Sequence, residues 1–492
     1  MPQRRSHVAP SAAQSALATA LAALRTELDA PTVFSPEALA EAASATPPAP
    51  ELDLRDVPFA TLDPAGSMDL DQAFQLERSG SGFRVRYAIA DVPSFVAPGG
   101  AVDAAARARG ETLYAADSTI PLHPMILSED HASLLPDQDR PALVWTFALD
   151  ADGTVTDTRL ERALIRSRAK LDYVTAQADL DAKRDSPAAL LPEIGRLRLA
   201  QEAQRGGASL NLPDEEVVRH ADGSYAIERR SPLPIEDWNA QLSLMTGMAA
   251  AQFMLHAKVG VLRVMPQPDD AAFETFRHQT AALGLPWTSG RYGDYLRDLD
   301  RNDPRTLSVL QAATALFRGA GYVAFDGQVP EDTTQAAIGA PYAHATAPLR
   351  RLVDRWSLTV SLAVSAEQPI PEWVRESLPQ VPELMRVSSQ RSSTLNSRTL
   401  NLVEAALLAP HVGDVFDASV IRRDAAKDGG KDGTPGNSAT PAPAPTRGTV
   451  QIAEPPVTAS MALPASATPG TALRIRLVSA DVAKGQVAFA AV

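Results

Sequence analysis

A chain of 492 residues that is 45% hydrophobic and 21% charged has room for one large domain and one or two smaller ones, with a sizeable core. It contains no cysteine, which excludes disulfides and cysteine–zinc sites and fits a reducing, cytoplasmic setting. The net charge of −13 argues against coating of nucleic acid by charge alone, though not against a local basic groove, and no apolar run reaches the roughly 18 residues of a membrane span.

The opening stretch MPQRRSHVAPSAAQSALATALAALRTEL sets basic residues ahead of alanines, as a signal peptide would. Gln14, Ser15 and Thr19 interrupt it, so an amphipathic helix is the better reading. A second helix follows in SPEALAEAAS, with Ser35 as N-cap and Pro36 at the first helical position. ATPPAP then breaks the chain, so residues 1–50 read as a small helical docking unit plus a linker. VPFATLD is strand-like and leads into an aspartate-rich loop. AFQLE, SGSG and FRVRYAIADV predict a β-hairpin with a glycine-rich turn. AVDAAARARGETLY reads as helical, and PALVWTFALDADGTVTDTRLERALI as another hairpin turning at DADG. From about 186 to about 410 helical patterns dominate, including DWNAQLSLMTGMAAAQFMLHAKV. The mixture predicts an α+β fold with a mixed sheet backed by helices. VFDASVI, RGTVQIA, ASMAL and ALRIRLVSADVAKGQVAFAAV predict a small β-barrel over 409–492. A Gly-, Pro-, Ala- and Ser-rich insertion at about 424–446 interrupts it and is expected to be disordered.

The stretch TLDPAGSMDLDQAF crowds Asp63, Asp69 and Asp71 into nine positions with no lysine or arginine beside them. In a strand, Asp69 and Asp71 would share a face, and a turn at Pro64, Ala65 and Gly66 would fold Asp63 back beside them. Such carboxylates raise one another's pKa, and a hard divalent cation relieves the strain. All-oxygen ligands favour magnesium, manganese or calcium over zinc. The helix–loop–helix calcium pattern fails, because Ala73 and Gly80 stand where it needs ligands. The competing reading is a solvated acidic loop that caps backbone amides. A second stretch, YAHATAPLRRLVDRW, gathers His344, Thr346, Arg350 and Arg351 in an otherwise acidic chain. Arginine reads phosphate oxygens bidentately, and a metal site with such an arginine is what phosphodiester hydrolysis requires. The competing reading is a helix whose arginines pair with Asp354 and solvent.

LDPAGSMDLDQAF, YAIADVPSFV, ARARGETLY, LSEDHASLLPDQDRPALV and YAHATAPLRRLVD occur in that order. Together they resemble the ribonuclease II catalytic domain, the RNB domain, over residues 51–408, and the tail resembles the OB-type RNA-binding barrel that follows it. The resemblance implies a cytoplasmic, processive 3′→5′ exoribonuclease. Such an enzyme threads single-stranded RNA into a channel, hydrolyses the last phosphodiester with magnesium-activated water (manganese able to substitute), and releases nucleoside 5′-monophosphates. It implies Asp63, Asp69 and Asp71 as metal ligands with Gln72 beside them, Asp71 being the most needed for chemistry. Arg350 would be the catalytic arginine on the scissile phosphate, and Tyr114 the ring that stacks near the RNA 3′ end. His344, Thr346 and Arg351 would line the RNA channel. A monomer with no membrane contact is the default.

The chain departs from that pattern in four places. Gln72 stands where a second aspartate is usual, and Ala347 and Leu352 replace a serine and a tyrosine. The glutamate often found on a later arginine-rich helix has no clear counterpart; Glu404 is a weak candidate. About fifty residues precede the catalytic region, too few for the usual two cold-shock barrels, so the front reads as a helical RNA-binding or docking unit with altered tolerance of duplex RNA. These departures motivate the alternative of a catalytically weakened, RNA-binding member of the same family.

Overall fold

The structure is a computed structural model that describes residues 5–7, 12–210, 212, 214–219, 225–301, 303–423, 446–452 and 457–492. Ser35 caps the helix Pro36–Ser44 as its sequence predicts, its side chain accepting the Ala38 amide, with proline in the first turn. The insertion expected at about 424–446 lies, Thr446 apart, outside the described residues.

The centre is a six-stranded mixed sheet, in the order Leu52–Asp53, Val155–Asp172, Phe59–Asp63, Gln72–Ser79, Gly82–Ala90, Asp139–Leu149. Both predicted hairpins are present: Gln72 to Ser79 pair with Ile89 to Gly82, and Asp139 to Leu149 pair with Arg166 to Val155. The second turns at Gly153, whose φ of 77° is costly for a residue with a side chain. The strand Val155–Asp172 has 18 residues and serves three neighbours, one of them the short strand Leu52–Asp53. Its first part runs antiparallel to Asp139–Leu149, and its last part, from Ser167 to Asp172, runs parallel to Phe59–Asp63. The sheet therefore closes on itself, which a flat sheet backed by helices would not do.

Helices Pro234–Ala257 and Asp354–Ser365 cover this sheet. Trp145, Phe147, Trp356 and Met245, each 0–1% exposed, share the core between them. Truncating either tryptophan to alanine would cost about 3–5 kcal/mol in cavity and lost burial. The region read as helical from about 186 to about 410 also holds the strand pair Val259–Val264 and Gly321–Asp326. The valines of VGVLRV and the Tyr, Val and Phe of GYVAFD, residue types that favour strands, explain it. The helical reading of AVDAAARARGETLY also stops short: the helix ends at Arg109, where Gly110 takes φ 75°, and Leu113–Tyr114 is a short strand.

The C-terminal strands form one antiparallel sheet, in the order Val457–Ala462, Arg447–Ile452, Val415–Arg423, Ala472–Asp481, Gln486–Ala491. The outer two strands approach each other without pairing, so the sheet curls into the nearly closed barrel expected from its alternating pattern. Among the described residues no helix is long and apolar enough to cross a membrane.

Candidate active site

The aspartate segment is a pinned loop, not the strand its spacing predicts, because pairing starts only at Gln72. Ser133 does the pinning. Its hydroxyl accepts the Leu70 amide at 3.0 Å and donates to the Met68 carbonyl at 2.6 Å, and the Leu134 amide donates to Leu70 at 3.0 Å. Asp71 follows directly and is 3% exposed. Its Oδ1 accepts the Leu349 amide at 2.7 Å, and its Oδ2 lies 3.4 Å from Arg350 Nε. Burial pushes the Asp71 carboxyl up to about 8; Arg350 and the Leu349 amide oppose this, while Asp354 and Asp69 add to it. Burial and the charge of Asp69 push Asp63 up to about 6, and its buried Oδ2 has no hydrogen-bond partner. Glu129 is raised in the same direction, by burial and by Asp69.

The arginine segment is shaped by Asp354. Its carboxylate accepts the Ala347 amide at 2.7 Å and faces Arg351 Nε at 3.0 Å. The pairing read as the competing interpretation therefore holds for Arg351, whose side chain is 18% exposed, but not for Arg350, which is 45% exposed beside Asp71. Thr346 is 3% exposed, and its hydroxyl lies 3.5 Å from Arg351 Nη2. Arg351 and Thr346 thus brace the loop from behind instead of lining an open channel. His344 is half-buried, with Nδ1 2.7 Å from the Tyr322 hydroxyl. Burial and the nearby arginines Arg351, Arg263 and Arg350 hold its ring well below the usual histidine range, so it is neutral at physiological pH.

Backbone pairing delivers Tyr114 to the same place. Thr112 donates to Arg350 O at 2.9 Å, Leu352 donates to Gly110 O at 2.9 Å, and Glu111 bridges Arg351. A side chain on Gly110 would strike Ser388, which keeps this approach close. Tyr114 is 52% exposed, with its hydroxyl 3.5 Å from Asp69 Oδ2. Asp63, Asp69, Asp71, Arg350 and Tyr114 are thus brought together from three distant parts of the chain.

Gln72 needs a correction. It was expected among the metal ligands, yet its side chain is engaged on both atoms. Its Nε2 donates to Thr346 O at 2.5 Å, and its Oε1 accepts the hydroxyl of Tyr87, a residue 1% exposed, at 2.9 Å. Tyr87 in turn meets Ser243 Oγ at 3.0 Å. Gln72 is a strut between the aspartate strand and the arginine loop. Glu404 lies elsewhere: it is 5% exposed and accepts the Thr458 amide of the barrel at 3.2 Å. Sequence reasoning also missed Ser133 and Tyr87 as positioning residues; Asp354 it named only as a partner of the arginines. Ser133 and Tyr87 lie inside quoted segments but carry no signal of their own.

Among the described residues no group of three or more His, Cys, Asp or Glu side chains converges closely enough to hold a metal ion. The aspartates sense each other's charge but do not close a nest. Magnesium keeps several waters and is bound through one or two carboxylates plus substrate phosphates, so an open set suits it. The unpartnered Asp63 oxygen and the raised carboxyl groups of Asp63 and Asp71 are the strain that a cation relieves.

The pattern of the RNB domain matches residues 51–357, and that of the RNase II-type exonuclease C-terminal S1 domain matches residues 414–492. Ribonuclease R of Escherichia coli (strain K12) is 30% identical over 326 residues, covering 62% of this chain and 39% of that protein. The chain therefore spans well under half the length of this relative. Mycoplasma genitalium RNase R in complex with double-stranded RNA superposes with a TM-score of 0.82 at 17% identity, over 97% of this chain and 83% of that one. Yeast Ssd1, a pseudonuclease, superposes with a TM-score of 0.69 at 16% identity, over 90% and 55%. At such identities the two structures speak for the fold. With more than half of its length matched by the family pattern, the chain belongs to the RNB domain family and carries the RNase II-type S1 domain behind it.

Proposed function

We propose that this chain is a 3′→5′ exoribonuclease that hydrolyses single-stranded RNA to nucleoside 5′-monophosphates with magnesium, manganese being able to substitute. One observation carries the reading: a buried, under-compensated Asp71 lies 3.4 Å from a half-exposed Arg350, with Tyr114 at the rim of the same site. Asp63, Asp69 and Asp71 would hold the cation, which when bound supplies a Lewis acid that lowers the pKa of water and neutralises phosphate. The rest is done by the chain itself. The Leu349 amide fixes Asp71 Oδ1 and so aims the other oxygen. Arg350, not locked into a buried pair as Arg351 is, meets the scissile phosphate and stabilises the charge that develops on it. The exposed ring of Tyr114 stacks on the terminal base, which tolerates any base. His344, neutral and half-buried, offers a hydrogen bond to the RNA, while Thr346 and Arg351 keep the loop in shape.

A time course on a 5′-labelled, unstructured RNA oligonucleotide with magnesium tests this beside Asp71→Asn. A short labelled product without a ladder of intermediates, absent in the variant, is expected. A second reading, a weakened RNA-binding member of the family, is favoured by Gln72, whose engaged amide replaces a usual carboxylate. Intact RNA that the wild-type protein still retards on a native gel would select it.

A further inference from the structure

The hairpin that carries Tyr114 is too short to hold itself. Its strands are Leu113–Tyr114 and Thr119–Ile120, two residues each. Isolated two-stranded hairpins are marginal even at greater length. The arginine segment holds its base through Thr112, and the N-terminal helix Ala12–Glu27 packs against the rest. Leu17, Leu21 and Leu24 repeat at helical spacing and are 0–1% exposed. They share one core with Leu113 and Ile120, the two inward flanks of the hairpin, and with Leu395 and Val403 of the helix Val381–Leu408. At the hairpin tip, Arg25 Nη1 meets Asp117 Oδ1 at 2.5 Å, with the two side chains 19% and 15% exposed. Two residues on, in the same last turn, Glu27 meets Arg398 of the long helix at 2.5 Å. The last turn of the helix is thus clamped both to the hairpin tip and to the long helix, while its leucines pack along the core behind them.

We infer that the N-terminal helix is a built-in brace that sets where Tyr114 meets the RNA 3′ end, with Arg25 as a positioning residue acting through Asp117. This rests on the exoribonuclease reading of the site and gives the front, expected as a helical RNA-binding or docking unit, a role against the hairpin. The leucines supply adhesion without direction, since apolar contact is non-directional. The ion pair supplies direction, fixing the hairpin tip and with it the tilt of the Tyr114 ring on the adjoining strand. A shift of about 1 Å in a positioning group is enough to lose most of its effect.

The test uses the full chain carrying Asp71→Asn, so that RNA is bound without turnover. An oligonucleotide with 2-aminopurine as its 3′-terminal base reports stacking on an aromatic ring by loss of fluorescence. The parent should quench strongly and Tyr114→Ala should abolish the quench. Arg25→Ala should lose most of it, Arg25→Lys should keep part of it, and the reversed pair Arg25→Asp with Asp117→Arg should restore it. A merely stabilising role would lower the melting temperature in Arg25→Ala and leave the quench of the folded protein intact, which would overturn the brace while the exoribonuclease reading stands. A parent that binds the RNA but shows no Tyr114-dependent quench would remove both.

Discussion

Asp103 and Asp71 are both buried, at 2% and 3% exposure, yet the fold treats them in opposite ways. Asp103 accepts the Gly99 amide at 2.8 Å, Arg107 Nε at 3.0 Å and Arg355 Nη1 at 2.5 Å. Arg355 also donates to Val96 O at 2.9 Å and lies 4.6 Å from the centre of the Trp373 ring. Burial pushes the Asp103 carboxyl up, but Arg355, the Gly99 amide and Arg107 outweigh it and hold it below the ordinary range. Asp71 has one amide and one guanidinium at 3.4 Å, and its carboxyl rises to about 8. One carboxylate is neutralised by the protein's own cations. The other is left short of positive charge, in the part of the molecule where an incoming cation and phosphate would be handled. Under-compensation, not burial, separates the candidate site from the structural network.

The largest effect should come from breaking the closed network. Asp103→Ala leaves Arg355 buried without its partner, which should cost roughly 3–5 kcal/mol. Urea unfolding of the variant beside wild type measures it. A loss below about 1 kcal/mol would show that Arg355 does not depend on Asp103 and that the network is not closed.

The open site should respond in the reverse sense. Asp71→Asn removes a charge the fold does not compensate, so in chelator the variant should melt at or above the wild-type temperature. RNA turnover should nevertheless fall by roughly 10²–10³-fold or more, the range seen when a group that acts in the transition state is lost. Added magnesium should raise the melting temperature of wild type and leave the variant unmoved. A variant that melts well below wild type in chelator would mean that Asp71 is a structural carboxylate like Asp103.

A smaller effect should follow at Gln72. An aspartate there restores the charge usual at this position but is shorter and cannot donate to Thr346 O. Gln72→Asp should therefore loosen the arginine loop and lower turnover by about 10- to 100-fold, or roughly 1.4–2.8 kcal/mol. The dependence on magnesium should be unaltered, because the strut is lost and no ligand is gained. Tighter magnesium dependence at undiminished turnover would return Gln72 to the ligand set.

That strut shows where sequence reasoning ends. Asp63, Asp69, Asp71, Arg350 and Tyr114 were legible because each sits in a short stretch whose order along the chain is distinctive, and the structure gathers them. The partner of Gln72 lies 274 positions away, and its other contact is the buried hydroxyl of Tyr87, which in the sequence is one apolar position of a strand. Ser133 pins the aspartate loop from 63 positions away through a residue type that occurs everywhere. The strand at Tyr114 was hidden by the alanine-rich helix before it, which only Gly110 ends. The C-terminal barrel was legible because each of its strands alternates on its own; the closure of the central sheet was not, because it depends on one long strand pairing with both Asp139–Leu149 and Phe59–Asp63.

The smallest effect concerns the residue that joins the two regions. His123 is 2% exposed, its Nε2 lies 3.3 Å from Pro348 O in the arginine segment, and its Nδ1 has no partner. Burial lowers its pKa to about 4; Arg355 and Arg109 act in the same direction, while the Pro348 carbonyl and Asp103 oppose them. The ring is therefore neutral in the fold, whereas in the unfolded chain it titrates near 6.5. Between these values the unfolded state binds more protons, so His123 contributes stability above pH 6.5 that is lost as the pH falls toward 4. Asp63 and Asp71 oppose this, because carboxyls with raised pKa take up protons in the folded state first and gain stability on acidification. The wild-type curve alone mixes the two. Its difference from His123→Gln, which keeps a donor for Pro348, isolates the histidine. Between pH 6.5 and 5 wild type should lose roughly 1.5 kcal/mol more than the variant. Parallel curves would mean that His123 titrates in the fold as it does in the unfolded chain, and that the Asp103 network accommodates an imidazolium beside Arg355 instead of excluding it.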